Sequence, residues 1–189
     1  MLIINIIIYA SMFFWLFPPI KNRKTEYFAY FLILAFADPV KFLFTYMFGY
    51  QNSSISLIIA TLLVVSLLKN TKIQIALIGL SLFLPVCMVI LKAPPMCYFY
   101  FSILASFSLL LIAAMQITQF LLQNRSINLF LVLLLLYISI TFFRKLAVLI
   151  DPDLGVLSYT IGLAFQMFFA IAFTFININT KNYRLIKDY

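Results

Sequence analysis

The chain has 189 residues, 66% of them hydrophobic and 10% charged, whereas soluble domains run at about 45–50% apolar and about 25% charged. A chain this short cannot hide so much apolar side chain in one core, because roughly a third of its unfolded surface would stay exposed; the solvent it calls for is lipid. The net charge of +8 does not indicate nucleic acid, since the Lys and Arg residues stand singly or in small groups between apolar runs and form no basic stripe.

A spanning helix needs about 20 apolar residues at about 1.5 Å rise each. Cutting the chain at charges and polar clusters predicts seven. The expected fold is therefore all-α, a polytopic integral membrane bundle of about seven helices with short loops, forming one domain over residues 1–189. The first span runs from Met1 to about Pro18; it lacks a basic leader and is too long for a signal-peptide core. The second runs from Tyr27 to Tyr50, the third from Ser54 to Leu68, and the fourth from Ile73 to Leu91. The fifth runs from Met96 to Gln123, the sixth from Ile127 to Ile150, and the seventh from Leu154 to Ile178. Pro18-Pro19, Gln51 to Ser54, Lys69 to Lys72, Pro94-Pro95, Asn124 to Ser126 and Asp151 to Asp153 punctuate them. Loops this short make consecutive helices antiparallel neighbours.

Orientation follows from charge. With seven spans, Lys21, Arg23, Lys24, Lys69, Lys72, Arg125, Lys181, Arg184 and Lys187 fall on one side, against Lys41, Lys92, Arg144 and Lys145 nearer the other. Cytoplasmic loops collect Lys and Arg, so the expected placement is the cell membrane, N-terminus outside and C-terminus cytoplasmic. Six spans would split the larger set. Aromatic clusters at Phe13 to Phe17 and Tyr98 to Phe101 suit either the two interfaces or plain lipid-facing bulk.

Asn22-Arg23-Lys24 before the second span resembles Asn124-Arg125-Ser126 before the sixth. On that offset, residues 1–68 and 96–178 form two triplets around a single fourth helix. The arrangement is similar to the parallel repeats of SWEET and PQ-loop carriers, although the chain has no Pro-Gln dipeptide.

The residues most open to chemistry are Asp38, Pro39 and Lys41, well inside the second span. A charge at the bilayer centre costs about 2.5–3.5 kcal/mol on insertion scales, so two there need a reason. Spaced i and i+3, they can neutralise each other; Lys41 can also reach toward the outer face. Pro39 removes a backbone donor and predicts either a kink in a continuous helix or a break with Asp38 as N-cap. The pair reads either as a packing device or as a polar site for an ion, proton or small anion. Arg144 and Lys145 lie in the outer half of the sixth span, and Arg144 reaches Asp38 if the two helices are adjacent. Asp151, before Pro152, is expected to cap the seventh helix. Ser102 and Ser106, and Gly155, Ser158 and Gly162, are small residues at spacings that let helices approach closely.

The sequence has no His, which excludes imidazole-based catalysis, His-ligated metals and imidazole pH switching. Cys87 and Cys97 form no CxxC pair; they are either a disulfide or two inert thiols. No phosphate loop, nucleophile elbow or metal motif appears, so the expectation is no enzyme, no metal and no cofactor. Two functional readings remain. The first is a non-enzymatic membrane module, acting as a subunit, scaffold or sensory part beside other membrane subunits. The second is a small-solute or ion transporter or channel with its polar site around Asp38 and Lys41.

Overall fold

The computed structural model describes residues 2–48, 52–68, 71–91, 93–150, 154–176 and 182–184. These form helices α1 (Leu2–Trp15), α2 (Phe17–Lys21), α3 (Phe28–Phe48), α4 (Asn52–Leu67), α5 (Thr71–Ile90), α6 (Pro95–Asn124), α7 (Leu129–Ile150) and α8 (Leu154–Phe175). Two short strands, β1 (Ser126–Asn128) and β2 (Asn182–Arg184), complete them. Among the described residues three helical stretches are long and apolar enough to cross a membrane: Phe28–Met47, Met96–Asn124 and Leu129–Ile150. Ile6–Lys21, Ser54–Leu67 and Ile161–Phe175 are shorter apolar helical stretches.

The packing order is cyclic. α1 touches α3, α3 touches α4, α4 touches α6, α6 touches α7, α7 touches α8, and α8 returns to α1. Six helices therefore close a ring, and α5 packs against α4 outside it. Helices joined by short turns alternate in direction, so α3 and α7 run one way while α1, α4, α6 and α8 run the other. In a six-membered ring α3 stands opposite α7.

One half of the ring is filled by aromatic rings. The end of α1 supplies Trp15, the start of α3 Phe31, the start of α7 Phe130 and Tyr137, and the end of α8 Phe169 and Phe173. Phe173 lies at the centre, with ring centroids 5.0 Å from Phe31, 5.6 Å from Phe130 and 6.3 Å from Tyr137. Tilted and edge-on pairs at such distances contribute about 0.5–1.5 kcal/mol each beyond area burial. Trp15 is buried here against Tyr137 and Phe173, at 5.3 and 6.5 Å. It is thus a core residue and not part of an interface belt; Phe13 and Phe17 beside it do face outward.

Other expectations shift locally. Pro18-Pro19 does not simply end the first helix. It opens α2, because a residue without an N–H suits a first helical turn. Asn22 then ties this corner to α8: its Nδ2 donates to Pro18 O at 2.9 Å and to Phe173 O at 3.3 Å. α3 continues through Pro39, so the broken-helix alternative, with Asp38 as N-cap, is excluded. The segment at 126–128 is a strand and not the start of a helix. It pairs antiparallel with 182–184, with Ile127 opposite Tyr183. α6 stops at Arg125, which takes a left-handed conformation with φ 49°, and α7 starts where Asn128 Oδ1 accepts from Phe130 N at 2.9 Å. Cys87 and Cys97 are both free thiols. Asp151, expected to cap the last helix, lies outside the described residues.

Candidate functional site

The half of the ring not filled by aromatics encloses a cavity of about 410 Å³. Every ring helix lines it, and among the described residues none of α5 does. Its walls change character along the ring axis. Toward the aromatic half they are Tyr30 and Leu34 of α3, Leu63 of α4, Leu109 of α6 and Tyr137 of α7, with Trp15 below. Toward the ends of α3 and α7 they are Asp38, Lys41, Ser56, Ser102, Ser106, Thr141, Arg144 and Lys145, with Gln166 from α8.

On α3, Asp38 and Lys41 are one turn apart and face the same way. Lys41 Nζ lies 3.6 Å from Asp38 Oδ1, and both side chains are about a third exposed, 31% and 33%. This pair is self-contained on one helix. α3 and α7 meet at their aromatic ends, where Phe31 lies 6.0 Å from Phe130, but at the level of the charges no Arg144–Asp38 ion pair forms among the described residues; Asp38 keeps Lys41.

On α7, Arg144 and Lys145 are consecutive, and consecutive helical residues point about 100° apart. They diverge to different neighbours. Lys145 turns to α6, where its Nζ donates to Ser102 Oγ and Ser106 Oγ at 2.7 Å each and to Ser102 O at 3.3 Å. Ser106 Oγ in turn donates to Ser102 O at 2.8 Å. Three ammonium protons thus meet three oxygens, in a setting built from side chains spaced i and i+4. Arg144 turns to α8 and lies on Gly162. A Cβ on that glycine would sit 2.8 Å from Arg144 Cδ and closer still to Nη1. Gly162 therefore leaves room for a side chain from α7 that a Cβ would strike.

Four residues on α8 from Gly162, Gln166 borders the same space, and its Oε1 is buried with no hydrogen-bond partner among the described residues. Thr141 spends its hydroxyl on its own helix, donating to Ile138 O at 2.8 Å. The cavity therefore holds three cationic side chains and one acidic one. Among the described residues no carboxylate lies within ion-pair distance of Arg144 or Lys145.

Asp38, Lys41, Arg144 and Lys145 all border the one cavity, and Pro39 sits between the first two on α3. Sequence reasoning missed Tyr137 as a cavity residue, read Gln166 as a polar group more often packing glue than ligand, and took Ser102 and Ser106 for packing residues when they hold Lys145. The available signal was the coincidence of two serines at helical spacing with an otherwise unexplained lysine elsewhere. Among the described residues no group of three metal-ligating side chains converges.

A second polar cluster serves structure. Gln116 Nε2 donates to Leu67 O at 3.1 Å, and its Oε1 accepts from Tyr27 Oη at 3.1 Å. Gln74 Nε2 donates to Leu68 O and to Val65 O. These amides give donors to Leu67 O and Leu68 O at the end of α4, where intrahelical donors run out, and a second one to Val65 O, which also accepts from Leu68 N. Comparison with known family models, curated proteins and solved structures finds no match to this chain.

Proposed function

We propose that the chain is a non-enzymatic, seven-span protein of the cell membrane whose helix ring binds a small solute and carries it across. The observation that carries this reading is the cavity of about 410 Å³. It is enclosed by six helices and charged at membrane depth, where ionisable residues mark substrate and ion pathways by default.

Several features support seven spans, with the N-terminus outside and the C-terminus in the cytoplasm. α1 and α2 together cover residues 2–21, about 30 Å of helix at about 1.5 Å per residue. α5, at 20 residues, is equally long. α4 is short, at 16 residues, or about 24 Å against a hydrocarbon core of about 30 Å. Its last carbonyls are the ones that Gln74 and Gln116 satisfy, which lets a helix end within apolar surroundings. Phe42, Leu43, Phe44, Tyr46 and Met47 at the end of α3 all face outward, as a lipid-covered helix requires. The cyclic order α1, α3, α4, α6, α7, α8 also supports a chain of two triplets, 1–68 and 96–178. A half-turn about the ring axis carries α1 to α6, α3 to α7 and α4 to α8.

Cysteine accessibility tests the reading. In a background with Cys87→Ala and Cys97→Ala, Ala37→Cys and Thr141→Cys in the cavity are expected to react with a membrane-impermeant thiol reagent in intact cells or inverted vesicles. Leu134→Cys, fully buried in the core, is the unreactive control. Absence of labelling at both cavity positions from either side sinks the carrier reading.

A further inference from the structure

We propose that the cavity binds a small amphiphilic anion, a carboxylate carried on an apolar body, with Arg144 as its clamp. This rests on the reading of the cavity as a solute site and names the class of solute.

The charge balance excludes a cationic ligand. Asp38 is already engaged by Lys41, and the other ionisable residues with charged heads that border the cavity, Arg144 and Lys145, are both basic. The two play different parts. Lys145 has its donors directed at Ser102 and Ser106, so it offers no free hydrogen to a ligand. Arg144 rests on Gly162 by shape alone. Its planar fork of five donors matches a carboxylate in bidentate fashion. Gln166 adds an amide whose oxygen is buried and unpartnered. The two ends of an amide exchange by a flip, so the Gln166 NH₂ can serve as a further donor to an anion beside Arg144.

The rest of the cavity defines the body. Beyond the charged level the walls are Tyr30, Leu34, Leu63, Leu109 and Tyr137, over Trp15. An inorganic anion would leave this apolar part unused. Pockets of about 300–1,000 Å³ take drug-sized ligands, so the volume of about 410 Å³ has room for a carboxylate with a short hydrocarbon or aromatic body.

Trp15 is the one tryptophan in the chain and lines the cavity, so its fluorescence reports occupancy. The test is a titration of the purified full chain in non-ionic detergent with hexanoate and, separately, with hexanamide, which has the same body without the charge. A saturable change with hexanoate is expected, with hexanamide binding about tenfold to a hundredfold more weakly, as loss of a charge-assisted hydrogen bond implies. Arg144→Gln is expected to abolish the preference and Arg144→Lys to retain part of it. The comparison of the two ligands on the unmodified chain stands even if a variant fails to fold. Equal binding of acid and amide overturns the proposal. So does binding of neither when Ala37→Cys and Thr141→Cys label from water, an outcome that leaves the solute cavity standing. Unlabelled cysteines together with no binding overturn both.

Discussion

Gly162 and Gly79 both sit inside helices, α8 and α5, and differ in what surrounds them. Replacing a mid-helix glycine with alanine removes backbone entropy from the unfolded chain and is worth about 0.5–1 kcal/mol. At Gly79 a new Cβ meets nothing within 4 Å, so Gly79→Ala is expected to stabilise the protein by the full amount. At Gly162 the same methyl lands 2.8 Å from Arg144 Cδ, well inside contact distance. Forcing a buried side chain aside costs about 1–3 kcal/mol, which outweighs the propensity gain. Gly162→Ala is therefore expected to be neutral to destabilising by about 2 kcal/mol, and to turn Arg144 out of its seat. The assay is chemical unfolding in non-ionic detergent of both single variants, and of Gly162→Ala in an Arg144→Ala background. Once the arginine side chain is gone the collision is gone, so Gly162→Ala should become stabilising by the same amount as Gly79→Ala. If both glycine variants stabilise the otherwise unmodified protein equally, Arg144 does not lie on Gly162 and the clamp geometry is wrong.

The Lys145 setting makes a second prediction: Ser102→Ala removes an oxygen from a buried ammonium and should cost about 1.5–3 kcal/mol, but little in a Lys145→Met background, so equal costs in the two backgrounds would refute the contact. Phe173→Ala opens a cavity among Trp15, Phe31, Phe130 and Tyr137 and should cost about 3–5 kcal/mol, with a change in Trp15 emission; a loss below about 1 kcal/mol would place Phe173 at the lipid surface. Asn22 holds the α2 corner to α8 through its NH₂ group. Asn22→Asp, which sets a carboxylate against two carbonyls, should destabilise more than Asn22→Ala in the same unfolding assay; the reverse order would mean that the bridge is absent.

The helices were legible because each is a long apolar run between charges or polar turns, and most observed ends fall within a few residues of the expected ones. What the sequence hides is facing. A membrane helix is apolar all round, so no polar stripe says which side turns inward, and the same letters serve lipid contact and core. Trp15 illustrates this. Its neighbours Phe13 and Phe17 face outward while it points into the ring, and nothing in the local sequence separates them. The strand at Ser126–Asn128 was invisible for a different reason: its partner, Asn182–Arg184, lies beyond two further helices, and a three-residue strand has too little pattern to announce itself. That Asp38, Lys41, Arg144 and Lys145 border one space depends on α3 and α7 standing opposite, which only the closed order of helix contacts reveals.

The two charged helices solve the same problem in different ways, and the difference determines which of them is available to a ligand. On α3 the spacing of three places an acid and a base on one face, so Asp38 and Lys41 largely cancel each other without help from another helix. On α7 the two bases are adjacent, and the helix itself drives them apart by about 100°. Each then needs a separate accommodation. α6 answers with hydroxyls at Ser102 and Ser106, which hydrogen-bond the ammonium but bring no charge to it. α8 answers with a vacant Cβ at Gly162, which gives the guanidinium room and no hydrogen bond from that residue. Of the four charged groups, Asp38 and Lys41 are paired and Lys145 is saturated. Arg144 is placed by shape, in a permanently charged form, with its donors free among the described residues. A group in that condition is the one a ligand would complete, which is why the predictions above converge on Arg144 and the glycine beneath it.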